Sequence, residues 1–329
     1  MKSSHASRRA FTRRQFVTCA AAATGLWSLP SWAQEKFPSK PIEVVTHSGA
    51  GGGTDITARM MMVHAPGEFG TELVVANRVG GSGAAALAYA QGRPRDGHTI
   101  LLVTQSHLLT ILQGKSPVKY EELVPLARAT ADPQILIVGK GSPFKTAQDL
   151  ISGAKARKLK TGVTHIGSVD HLTLLGFARK AGLQAPTAVP FRGGGDIIIN
   201  AVSGNIDVGM LNYAEAESQI KAGDARALLV LTTQRMKVLA DVPTAKELGI
   251  DADYSTVRGF VTLHGVPEDR LKILEEGLLK AMRGQMYTTY IETSGQAADS
   301  VAGRAVWKAQ LDRFYSEGES ELKALGLLK

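Results

Sequence analysis

Cysteine is almost missing from this 329-residue chain, which has only Cys19. That residue falls in a segment expected to be removed, so the mature chain carries none. Its absence excludes Cys-ligated zinc, iron–sulfur clusters and a cysteine nucleophile. It also suits an oxidising compartment, where a stray thiol is a liability. Aromatic residues are scarce, at 6%, too few for a base-stacking surface. The bulk of the chain also lacks a field of one sign. The formal charge is +8, but Lys2, Arg8, Arg9, Arg13 and Arg14 lie in residues 1–33, which hold no acid. The remainder is near +3, with 33 basic residues against 30 acidic ones. No nucleic-acid partner is expected from so mild a balance. Beyond residue 33 no apolar run approaches the ~18 residues of a membrane span. H-E-x-x-H-like metal spacing, a G-x-S-x-G elbow and a phosphate-loop lysine are missing as well. Neither a metal nor a cofactor is expected.

The first 33 residues are basic, then small and apolar (CAAAATGLW), and end in Ser31-Trp32-Ala33. This is the layout of a cleavable secretory signal peptide. Thr12-Arg13-Arg14-Gln15-Phe16-Val17 resembles the twin-arginine export motif, departing from it at Thr18, where lysine is common. An arginine-rich Sec leader is the alternative. Lipid attachment at Cys19 is rejected, because the apolar region follows the cysteine instead of preceding it.

The full sequence is 44% hydrophobic and 21% charged, as in a soluble globular protein, and a core of this size folds without staples. Strand and helix patterns alternate. Strands are expected at 42–46, 73–76, 99–104, 135–139, 160–163, 187–190, 206–211 and 227–231. Helices are expected from Thr54, and at 84–91, 146–155, 170–181, 196–202, 214–222, 267–283 and 302–325. The fold class is therefore α/β with mostly parallel sheets.

Two glycine-bearing turns stand out. Residues 44–58 read VVTHSGAGGGTDITA: a strand ends, glycines follow and a helix begins. Glycine permits close backbone approach, and a helix start offers unpaired N–H groups with a partial positive charge. Together they suit a carboxylate or phosphate, although Thr54 could be only an N-cap. Gly81-x-Gly83-x-x-Ala86 nominally fits a dinucleotide fingerprint, but the strand 99–104 ends without the acid expected for a ribose. Farther on, residues 164–171 and Pro190-Phe191-Arg192-Gly193-Gly194-Gly195 each lead from a strand into a helix. Sites of this kind in two halves suggest a ligand gripped from both sides.

The stretches KPIEVV, GGGTD, DGHTILLVT (96–104), VPFRGGG (189–195), GNIDVGMLN (204–212), IKAGDARALLVLT (220–232) and DVPTAKELG (241–249) resemble those of the tripartite tricarboxylate transporter substrate-binding proteins, the Bug family. They occur in family order across essentially the whole mature chain. The resemblance implies a two-lobed type II periplasmic binding-protein fold, with residues 34–131 and 246–329 in lobe 1 and 132–245 in lobe 2. It implies a monomeric solute-binding protein, not an enzyme, that delivers a small carboxylate ligand to a membrane transporter. Carried over by position, Gly51, Gly52, Gly53, Thr54 and Asp55 match the first ligand loop, with Ser48 beside it. Gly167, Ser168 and His171 match the loop of the other lobe. Arg192, Gly193 and Asn212 match strand-end positions, and Ser106 follows the strand 99–104. Three departures stand at candidate ligand positions: the loop Thr46-His47-Ser48-Gly49-Ala50, Asp170 in place of a small polar residue, and Val257-Arg258 in place of an aromatic pair.

His47 is expected to be solvated and Arg258 to be a surface residue. Asp170 at a helix start would favour a ligand ammonium or hydroxyl over a second carboxylate. The rival from another class is an exported cofactor-dependent oxidoreductase, since twin-arginine leaders often carry such enzymes.

Overall fold

Short apolar runs separated by glycine and proline fold into strands, most strands lead on into helices, and some of those helices have a side-chain cap. Thr146 shows the pattern: its hydroxyl accepts from Asp149 N at 3.1 Å while the Asp149 carboxylate accepts from Thr146 N at 2.9 Å. A computed structural model describes residues 36–296, 298–324 and 326–328. The leader, with Cys19 and the paired arginines, lies outside them.

The first half of the described chain holds β1 (Ile42–Thr46), α1 (Gly53–Met62), α2 (Ala65–Phe69), β2 (Leu73–Asn77), α3 (Ala84–Gln91), β3 (Thr99–Thr104) and α4 (Gln105–Leu112). There follow β4 (Leu123–Gly139), α5 (Ala147–Ala156), β5 (Lys160–Val163), α6 (Val169–Lys180), β6 (Thr187–Pro190), α7 (Gly194–Val202), β7 (Val208–Asn212), α8 (Tyr213–Lys221) and β8 (Ala225–Val230). The chain closes with β9 (Ser255–Leu263), α9 (Glu268–Met282), α10 (Gln285–Thr293), β10 (Ala302–Gly303) and α11 (Arg304–Ala324).

The strands run in the order β2-β1-β3-β9-β4-β7-β5-β6, with β8 and β10 also paired to β4. The expectation of mostly parallel pairing holds only at the flanks. There, β1 lies parallel to β2 and β3, and β5 parallel to β6 and β7. At the centre β9 is antiparallel to β3 and β4, and β4 is antiparallel to β7 and β8. The reason is β4, a single 17-residue strand of which the sequence pattern marked only the last five residues. Pro125, Asp132 and Pro133 make its first part read as a loop. Register shifts near Pro125 and Arg128 absorb the irregularity against β9.

Strand β4 therefore pairs with β9 over its first part and with β7 and β8 over its last. Each half buries its own core. Val45, Leu101, Val261 and Trp307 pack in one, Leu136, Val163, Phe177 and Met210 in the other. Ile250 and Ala252 also pack in the second. The chain passes between the halves at neighbouring points, where Gln134 N donates to Tyr254 O, Leu231 N to Gln134 O and Tyr254 N to Leu231 O.

Candidate ligand-binding site

Five helices begin at one place. The starts of α1, α4, α6, α7 and α8 surround a narrow cavity of about 30 Å³, lined by Gly53 and Thr54, Ser106, Val169 and Asp170, Gly193, and Asn212 and Glu215. His47, Ser48, Thr104, Thr164, Thr256 and Arg258 complete the wall. Each helix start contributes partial positive charge and outward N–H groups. A wider concavity of about 590 Å³ lies elsewhere, between α6, β9 and α11. The side chain of Gln105 there is already bonded to Ser255 O and Val257 N, and only the starts of α4 and α6 reach it.

Ser48, not Thr54, caps the first helix: its hydroxyl accepts from Asp55 N at 3.3 Å and bonds the Thr54 hydroxyl at 2.5 Å. The N-cap position itself is Gly52. The two halves bond each other around the cavity. Gly49 N donates to Arg192 O, Val169 N to the Ser106 hydroxyl at 3.0 Å, and Gly53 N to the Glu215 carboxylate at 2.7 Å. The same Glu215 oxygen accepts from Gly194 N at 3.1 Å, and its other oxygen from Asn212 N at 3.0 Å. One carboxylate thus occupies three helix starts, including the one expected to hold a ligand anion.

Arg258 is not at the surface. Its side chain is 3% exposed and bridges Asp132 at 2.9 Å and Asn212 Oδ1 at 2.7 Å. A Cβ on Gly53 would fall 2.0 Å from its guanidinium, so the glycine is what lets α1 start against it. Burial pushes the Asp132 carboxyl up to about 7, against the attraction of Arg258, with Glu215 adding to the rise. Burial likewise lifts Asp170 to about 6, opposed by the Thr164 hydroxyl bond and reinforced by Glu215. Asp170 accepts from Gln134 Nε2 and from the Thr164 hydroxyl, each at 2.5 Å. His47 is also buried, at 6% exposure, with its ring 4.3 Å from that of His107. Burial, with His107, His165 and Arg258 nearby, holds its pKa well below the usual value, so the ring is neutral.

Of the residues singled out in the sequence, Ser48, Gly53, Thr54, Ser106, Asp170, Gly193 and Asn212 face the cavity. So do His47 and Arg258, which were expected to lie at the surface, whereas the remaining expected contacts do not line it. Asp55 turns back to Gly51 N, Asn77 and Arg59. Gly51 and Gly167 shape turns at φ 76° and 81°, and Gly52 packs on Ser48. Ser168 caps α6, and the His171 ring accepts from Gly167 N. The Arg192 side chain is 75% exposed and pairs with Asp196, so only its carbonyl turns inward. Sequence reasoning missed Glu215. An Asn followed three residues later by Glu marks a helix cap, but nothing local says that the carboxylate also reaches Gly53.

Two α/β halves around a cleft ringed by helix starts define a solute-binding protein of the two-lobed periplasmic type. Residues 57–319 match the family model described as the tripartite tricarboxylate transporter family receptor. A UPF0065 protein of Cupriavidus necator is 30% identical over 282 residues, covering 84% of this chain and 85% of that one. Among solved structures, the periplasmic binding protein BugD aligns with a TM-score of 0.82 at 20% identity, over 89% of this chain and 100% of its own. MatC of Rhodopseudomonas palustris, solved with malate, aligns with a TM-score of 0.80 at 24% identity, over 87% and 100%. The chain belongs to the tripartite tricarboxylate transporter receptor family, whose members are solute receptors and not enzymes.

Proposed function

We propose that this chain captures a small carboxylate-bearing solute outside the cytoplasmic membrane and presents it, as a monomer, to the membrane subunits of a tripartite transporter. The observation that carries this reading is the convergence of five helix starts on a cleft between two separately cored halves. That arrangement is an anion trap, and among the described residues no side chain around it is placed for covalent chemistry. Two R. palustris structures of similar fold hold malate and adipate, which supports a carboxylate here. Residues 1–33 act in this reading as a cleavable export signal of the twin-arginine type. The lobes are residues 34–131 with the C-terminal segment, and the segment from 132. Packing of Ile250 and Ala252 in the second core favours a return crossing near Tyr254, later than residue 245.

Thr54 tests the reading. Thr54→Val keeps the shape and removes a hydroxyl that can meet a charged oxygen. Calorimetry on a carboxylate found by thermal-shift screening should show binding weakened by about 1.5–3 kcal/mol. Equal affinity would leave Thr54 as a partner of Ser48 only. A full panel of carboxylates without a hit would overturn the function itself.

A further inference from the structure

The charges around the cavity do not balance. Arg258 is the only cationic side chain that lines it among the described residues, and its guanidinium is engaged by Asp132 and Asn212. Two more carboxyls line the same wall. Asp170 is held by the Gln134 amide and by Thr164. Glu215 is held by three backbone N–H groups. Neither has a cation against it. His47 lines the cavity too, and its Nδ1, in a side chain 94% buried, has no hydrogen-bond partner. Its ring is neutral, so it can accept a hydrogen bond without adding like charge. Gln134 Oε1, fully buried beside Asp170, is likewise an acceptor without a partner.

We infer that the solute carries a cationic nitrogen in addition to its carboxylate, and that Asp170 and Glu215, with the unpartnered Nδ1 of His47, select it. The inference rests on the carboxylate-binding reading and narrows it. A dianion held in this cavity would bring its charges beside two carboxylates that share one already paired guanidinium, Arg258, on a wall where like charges are less screened than in bulk water. An ammonium there donates up to three hydrogen bonds, matching the acceptors that remain. The ligand carboxylate is left the Thr54 and Ser106 hydroxyls and the partial charge of the helix starts. The wall therefore has one polarity for each end of a zwitterion.

The experiment compares three series of equal chain length: amino carboxylates, dicarboxylates and diamines, each measured by thermal shift and calorimetry on the parent protein. The parent should bind an amino carboxylate at least about tenfold more tightly than the dicarboxylate of the same length. Glu215→Gln and Asp170→Asn keep size and remove charge, and each should weaken amino carboxylate binding and so narrow or reverse that preference. Dicarboxylates preferred by the parent would overturn the inference while leaving the carboxylate reading intact. Diamines alone binding would overturn the carboxylate reading and keep the cation site, and no binding in any series would overturn both. If Glu215→Gln gains dicarboxylates without losing amino carboxylates, Glu215 is an internal competitor for the helix starts and not a selector, and the inference fails. Should either variant not fold, the parent's own order across the three series still decides.

Discussion

Asp170 shows how a single residue couples burial to pH. Its carboxyl is 5% exposed and lifted to about 6, chiefly by burial. In the unfolded chain it titrates near 4, so the folded state favours the protonated form. The stability it lends is complete below pH ~4 and is lost as pH rises through about 6. Asp170→Asn should therefore raise Tm relative to the parent more at pH 8 than at pH 4.5. The rise to about 6 corresponds to at most ~3 kcal/mol, less whatever the lost Thr164 bonds contribute. A parent-to-variant difference that does not change with pH would show Asp170 already ionised and compensated. The sequence made Asp170 visible because an acid after a strand–turn begins a helix. It hid Arg258 because the burial of an arginine depends on Asp132 and Asn212, which stand 126 and 46 residues away. His47 was misplaced for the same reason: its loop is covered by a ring from another helix, His107.

At the scale of elements, local signals sufficed wherever a cap, a glycine and an apolar period coincided. Helix α5, capped by Thr146, follows such signals closely, and α3 and α9 lie within a residue of their expected bounds. They failed at α4, which leaves β3 with no intervening turn and is started by the Thr104 hydroxyl accepting from Ser106 N. They failed again at the first part of β4, whose strand character comes from β9 across the sheet and not from its own proline-broken composition. The glycines of the first loop are legible as a group but differ in what they do. Gly51 sits at φ 76° in open space, so Gly51→Ala should cost only the left-handed backbone penalty, about 1–2 kcal/mol. At Gly53 the added methyl would strike a guanidinium held by two buried partners. Moving Arg258 unpairs a buried ion pair, so Gly53→Ala should cost roughly 3 kcal/mol or more. Denaturant midpoints would rank the two. Equal losses would mean that Arg258 shifts freely and that its pairs hold it only weakly.

For the whole molecule, the decisive quantity is the volume between the halves. About 30 Å³ admits one or two waters and cannot take in a metabolite, so binding requires the halves to part. What holds them is a set of cross-cleft bonds: Gly53 N to Glu215, Val169 N to Ser106, and the Ser82 hydroxyl to Ile166 O at 3.3 Å. At Gln134, Leu231 and Tyr254 neighbouring backbone segments exchange hydrogen bonds, and a twist about these segments is the expected route to opening. Opening must break several cross-cleft bonds together, and so precedes ligand entry as a step of its own. In stopped-flow mixing, the observed rate should therefore level off at high ligand concentration, at the rate of opening. Glu215→Gln weakens the bond to Gly53 and should raise that plateau. A rate climbing in proportion to ligand up to the limit of mixing would mean that the halves already stand apart in solution, and that the internal carboxylate of Glu215 does not hold them closed.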